Sequence, residues 1–338
     1  MLKFIQQFKT LQSAELASYS PGLNTIKALL VLIVIFGHAI NIYSNLQIVY
    51  FFHMPLFLSI SGFLVKKSAF DEGLFSYFKK LTNRAIIPWI IAFCVFIPVL
   101  FFNRSIATFS FKDILYPYYH LWYIPAYLVA VIFCFFTLKF KIPSWLVLIF
   151  TALVTSYWFV TYRNNTLQPE QLPLYFLGDK RIYGYLLFFY LGFAIKNKII
   201  NFRPNAFVLI LLIGLSVITI LAFIFKHLPE FTLLIPYLIC NICLVFFIVI
   251  YTSSQNWTDN KFLEFLNNQS LGIYLYHPLF IFMAYEWLQN PERDKTSTME
   301  AIVIFVISTF LSTVLVWLFT QFEITNKYVL GNIKKENI

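Results

Sequence analysis

Ten apolar runs divide this 338-residue chain, most of them close to the roughly 20 residues that an α-helix needs to cross a bilayer. They fall at 24–45, 47–65, 85–102, 119–138, 144–162, 182–196, 205–226, 232–252, 269–289 and 300–322. Hydrocarbon offers no hydrogen bonds, so a spanning segment must pair its own N–H and C=O groups, and a helix does this within one segment. Charge agrees with the runs: 12% of the residues are charged and mean hydropathy is +0.75, whereas soluble domains carry about 25% charged residues. The expected fold class is all-α, a polytopic membrane protein of about ten transmembrane helices. A cytoplasmic segment 1–23 is expected to precede one transmembrane domain, 24–322, and a cytoplasmic tail, 323–338, to follow it. The longest connections, 66–84, 103–118, 163–181 and 253–268, are too short to hold a soluble domain.

The net charge of +10 suits topology better than nucleic acid, because no long basic tract stands clear of the apolar runs. With the N-terminus inside, 17 of the 25 lysines and arginines fall in inner segments and 8 in outer ones, a positive-inside bias that places both termini in the cytoplasm. Tyr43, Trp89, Trp122, Trp145, Trp257 and Trp287 stand near the ends of runs, where aromatic anchors are expected. The first 20 residues carry Lys3, Lys9, Gln6, Gln7, Gln12 and Glu15 without an apolar stretch, so no cleavable signal peptide is expected. The expected location is a bacterial cell (inner) membrane, crossed many times. Cys94, Cys134, Cys240 and Cys243 all lie within apolar runs and read as packing rather than as disulfides or a zinc site.

The first run, NTIKALLVLIVIFGHAINIYSN, contains two basic-type side chains, Lys27 and His38. Eleven residues amount to three turns plus roughly 20°, so both project from one helix face, about 16 Å apart along the axis. An ionisable group in a membrane helix is costly and points to function. Imidazole suits a general base near neutral pH, and the flanking Gly37 and Ala39 leave room for close approach. Lys27 on its own also reads as a snorkelling residue at a helix entrance. Lys79, Lys80 and Arg84 form a compact basic group ahead of the third run, and Arg84 is the better phosphate ligand because guanidinium grips phosphate bidentately.

His53 and His120 fall at the outer ends of the second and fourth runs. With His38, Tyr118, Tyr119 and Trp122 they could line an outward-facing cavity suited to sugar rings; interfacial placement is the alternative. These histidines lie on separate helices, no HxxxH pair occurs and no membrane carboxylate joins them, so no metal is expected. His277, beside Pro278, is expected in the inner half of the ninth run, and Glu323 at the inner end of the tenth. Each serves either a site or local backbone and charge satisfaction. His227 sits in a loop and receives no role.

These features in this order resemble the acyltransferase-3 family of integral membrane O-acyltransferases, whose members include fucose O-acetylase-like and polysaccharide-modifying enzymes. The resemblance rests on Lys27 to His38; HMPLFLSISGFL in the second run; the basic loop into Arg84 and Pro88; HLWYIPAYL; FFYLGFAI; and SLGIYLYHPLF. Arg84 matches the second position of the family's R-x-x-R unit, while Leu81 stands at the first with Lys80 beside it. The resemblance implies transfer of an acyl group, usually acetyl from acetyl-CoA, to a sugar hydroxyl of a cell-surface or lipid-linked polysaccharide, as in capsule or exopolysaccharide modification. On that reading Lys27, Lys80 and Arg84 meet the CoA phosphates at the cytoplasmic side. His38 is the general base or a transient acyl carrier, and His53, His120 and Trp122 contact the acceptor. Acyl-CoA, the glycan acceptor and membrane lipid are the implied partners, without nucleic acid or metal. A transporter or flippase for a lipid-linked sugar is the competing reading, although no pair of matching broken helices suggests an inverted repeat. A structural subunit would leave His38 without a reason.

Overall fold

A computed structural model describes residues 21–40, 43–102, 116–117, 120–163, 181–201, 204–226, 230–252, 260–288 and 298–332. In chain order the helices are α1 Pro21–Ala39, α2 Tyr43–Phe63, α3 Leu74–Leu81, α4 Ile87–Phe102, α5 Tyr123–Lys139, α6 Ser144–Arg163, α7 Arg181–Gly184 and α8 Leu186–Lys196. There follow α9 Ala206–Lys226, α10 Leu234–Thr252, α11 Lys261–Asn268, α12 Ser270–Leu288, α13 Thr298–Gln321 and α14 Glu323–Tyr328. Short 3-10 turns stand at Lys67–Phe70 and Glu230–Leu233, and no strand occurs among the described residues.

Each apolar run is helical through most of its length. Four helical stretches are long and apolar enough to cross a membrane: Pro21–Ala39, Leu74–Val99, Ser144–Thr161 and Met299–Gln321. Five more are apolar but shorter, and the run at 182–196 is broken at Tyr185 between α7 and α8. Leu153 of α6, Ile218 of α9 and Phe310 of α13 are 64%, 63% and 65% exposed, amid rows of other bared aliphatic side chains. Water would not tolerate apolar faces of that extent, but lipid covers them. The chain is a multi-pass membrane protein.

The described residues form two compact units. One draws on Phe51–Asp71 and Ala126–Asn260, with α1 up to Lys27. Its centre is α8, buried from Leu186 to Ile195. Two glycines let α8 and α2 touch through their backbones: a Cβ on Gly62 would lie 2.0 Å from Phe189 O, and one on Gly192 1.9 Å from Ser59 O. Small residues at a crossing are the usual means of close helix approach in a membrane. Asn197 joins the same two helices where they end: its Nδ2 donates to Val65 O at 3.0 Å and its Oδ1 accepts from Lys67 N at 2.6 Å. Pro55, inside α2, has no N–H for Phe51 O, and the Asn241 Nδ2 of α10 donates to that carbonyl instead at 2.9 Å.

The other unit comprises Ala28–Tyr50, Glu72–Pro125 and Lys261–Ile338. Within it α12 packs along α13 and touches α4. A π-helical turn, Thr82–Ile86, joins α3 to α4. Pro88 has no N–H to offer Arg84 O, so the ladder shifts, and Ile87 N–H reaches back five residues to Thr82 O. The end of the described chain closes over this turn: Gly331 adopts φ +73°, and a Cβ there would lie 2.3 Å from Arg84 O. Only glycine suits both the left-handed backbone and that approach.

The first helix ends earlier than its apolar run suggests, at Ala39 rather than at 45. Hydrophobicity reports burial in lipid or protein, not helical continuity, so the run overshoots the helix. His38 therefore sits in the last turn of α1.

Candidate active site

In the second unit the last turn of α1 meets α12 twice. Ala39 O, one of the carbonyls left unpaired at a helix end, accepts a hydrogen bond from Tyr285 OH at 2.8 Å. Beside it, His38 Nδ1 and His277 Nε2 are 2.9 Å apart, a contact between residues 239 positions apart in sequence. The two rings lie within 17° of parallel, with centroids 5.1 Å apart.

His120, just ahead of α5, completes the cluster. Its ring centroid is 6.3 Å from that of His38 and 5.3 Å from that of His277. Two contacts with α12 fix it: His120 Nε2 lies 3.1 Å from Leu275 O, and Tyr274 OH donates to His120 O. Phe96 of α4 packs edge-on against His120 and Tyr123 against Tyr274, and Trp89 Nε1 donates to Leu121 O at 2.8 Å, tying α4 to the start of α5. The three imidazoles differ in one respect that matters for chemistry. His277 and His120 are 0% and 2% exposed, whereas His38 is half-buried. Of the three, His38 is the most exposed.

Lys27 is half-buried on α1, in the same unbroken helix as His38, so the eleven-residue interval holds as helix. Arg84 is exposed on the π turn, and its guanidinium makes no hydrogen bond or ion pair among the described residues. Lys80 is already engaged: its Nζ lies 2.9 Å from Glu72 Oε2, with both side chains exposed. Hydrogen bonds from Ser76 and Lys80 hold the Glu72 carboxyl below its ordinary pKa. Trp122 is buried two residues along from His120. His53 is buried on α2, in the other unit. Tyr118, Tyr119, Trp257 and His227 lie outside the described residues, and Glu323 is exposed at the start of α14.

Two members of the cluster carry more weight than the sequence suggested. His277 was read as serving either a site or local backbone satisfaction, and its Nε2 lies 2.9 Å from His38 Nδ1. Tyr274 was not singled out at all. The pattern that marks it is Tyr-x-x-His-Pro: proline at 278 frees the carbonyl four residues back, and the histidine ring can reach it. No group of three or more metal-binding side chains arranged to hold an ion occurs among the described residues.

Three adjacent imidazoles, of which His38 is half-buried and two are buried, form a group of the kind that can accept a proton from a hydroxyl and return it to a leaving group. Comparison with known proteins narrows the reaction class. Neither the curated proteins nor the solved structures compared contain a match to this chain. A family model described as an acyltransferase domain matches residues 20–321, and so takes in α1, His38 and every other residue of the imidazole cluster. The chain belongs to the acyltransferase-3 family of membrane acyltransferases.

Proposed function

We propose that this protein transfers an acyl group, acetyl being the expected one, from cytoplasmic acyl-CoA to a sugar hydroxyl of a cell-surface or lipid-linked polysaccharide. The observation that carries this reading is the half-buried His38 at the end of a membrane helix, backed by two buried imidazoles within the matched acyltransferase region. His38 takes the proton of the acceptor hydroxyl as its oxygen bonds to the thioester carbonyl carbon. His38 returns that proton to the departing sulfur when the C–S bond breaks, leaving an oxygen ester and free CoA thiol. The imidazolium formed in between stands at the C-terminal end of α1, where the helix dipole favours a cation by about 0.3–1 kcal/mol.

Exposed Arg84 is well suited to phosphate, since nothing among the described residues occupies its guanidinium. Lys80 contributes less, because a phosphate must draw it from Glu72. Lys27 completes the basic set on the donor side, and His120, Trp122 and His53 belong to acceptor recognition. Ten membrane crossings, cytoplasmic termini and a bacterial inner membrane complete the proposal; they bring cytoplasmic CoA and an outward-facing glycan to one enzyme.

The discriminating experiment is NMR of surface glycan from cells carrying wild-type protein or His38→Ala. The proposal expects O-acetyl signals to vanish while the glycan is still exported. Loss of the glycan itself from the surface would support a flippase and overturn the proposal.

A further inference from the structure

We infer that His277 is a positioning residue: it holds His38 in the tautomer that carries hydrogen on Nδ1 and presents Nε2 as the basic atom. The inference rests on the reading of His38 as the base and specifies how the fold prepares it.

Pro278 lies inside α12 and has no N–H, so Tyr274 O lacks its helical partner. His277 Nδ1 stands 2.8 Å from that carbonyl and 3.1 Å from Ile273 O. Carbonyl oxygens only accept, so Nδ1 of His277 carries a hydrogen. The ring is fully buried and has no carboxylate partner among the described residues, and an uncompensated buried cation is costly. His277 is therefore neutral, and its Nε2 can only accept.

The atom 2.9 Å from that Nε2 is His38 Nδ1, which must donate. Ring planes within 17° and centroids 5.1 Å apart fit two imidazoles joined edge to edge by an in-plane N–H···N bond. A neutral His38 then has its lone pair on Nε2. The other polar groups nearby do not compete for His277 Nε2: His120 Nε2 faces Leu275 O, and Tyr274 OH donates to His120 O. A proline thus dictates, through one carbonyl and one buried imidazole, which nitrogen of His38 can take a proton.

Only five histidines occur in the chain, so the tautomers can be read directly by solid-state 15N NMR of histidine-labelled protein in lipid. The His38 signals are those that disappear in His38→Gln. The inference expects a protonated Nδ1 and an unprotonated Nε2 at His38; the opposite pattern overturns it. In transfer assays His277→Leu should lower kcat about 100-fold while both KM values stay within about twofold. His277→Gln, whose amide oxygen can accept from His38 Nδ1, should recover at least about tenfold of that loss. Wild-type kcat in His277→Leu, or no gain from glutamine over leucine, overturns the inference. If His277→Leu does not fold, the wild-type tautomer still decides. Loss of transfer in His38→Ala alongside wild-type kcat in His277→Leu overturns the positioning role and leaves the base intact. Full transfer by His38→Ala overturns the base itself.

Discussion

Two prolines break two helices in the two units, and a side chain repairs each break in a different way. In α2, Pro55 leaves Phe51 O unpaired, and Asn241 fills it with an amide whose Nδ2 also reaches Tyr237 O. In α12, Pro278 leaves Tyr274 O unpaired, and His277 fills it with one ring nitrogen while the other meets His38. The backbone problem is the same and either amide or imidazole answers it. The amide cannot titrate: both its hydrogens go to carbonyls, and its Oδ1 is buried without a hydrogen-bond partner among the described residues. The imidazole answers with half of itself and has a second nitrogen left for chemistry. A buried polar side chain at a proline kink is thus structural until its remaining atoms are traced to a second partner.

The sharpest way to break this comparison is to make the second kink resemble the first. His277→Asn retains an amide that can donate to Tyr274 O but is too short to reach His38. It should keep the fold, read by melting temperature in detergent, while kcat drops about 100-fold. The reverse case is Asn241→Leu, which leaves Phe51 O buried without that donor. Its stability should fall by about 1–3 kcal/mol in unfolding measurements, with kcat per folded molecule unchanged. An activity defect there without a stability defect would erase the contrast.

Pro278→Ala restores an N–H that competes with His277 for Tyr274 O. Weaker hold on the tautomer should lower kcat about tenfold, within the range of general-base contributions, and the 15N spectrum should show mixed tautomers at His38. Smallest are the donor-side effects. Arg84→Ala removes a charged hydrogen-bond donor and should raise the acyl-CoA KM about tenfold. Lys80→Ala should change it by less than about threefold, because exposed ion pairs such as the one with Glu72 hold little energy in either direction. Equal KM values for wild type and an Arg84→Ala/Lys80→Ala double variant would remove both residues from donor binding.

The helical class was legible because apolar length alone forces it: each run from 24–45 to 300–322 falls on helix. Run ends were less legible, since Ile40, Ile42 and Tyr43 carry apolar character past the end of α1 at Ala39. Motifs were visible without their reasons. SISGFL and FFYLGFAI mark a backbone-to-backbone crossing at Gly62 and Gly192, and only the folded chain shows which carbonyls they admit. At the site, His38 stood out as a polar group in an apolar helix and His120 as a neighbour of it. Pairing of His38 with His277 spans 239 residues, and no local periodicity encodes which helices meet. The Lys80–Glu72 ion pair was not legible, because Glu72 lies eight residues back across the turn at Gly73, beyond the spacing of helical ion pairs.

The most direct test is transfer of labelled acetyl from acetyl-CoA to a glycan acceptor by purified protein in proteoliposomes, comparing wild type with His38→Ala and Asn241→Leu. The account expects His38→Ala to fall at least about 1,000-fold, in the upper range for loss of a general base, while Asn241→Leu transfers at the wild-type rate per folded molecule. Transfer by folded His38→Ala at close to the wild-type rate would contradict it.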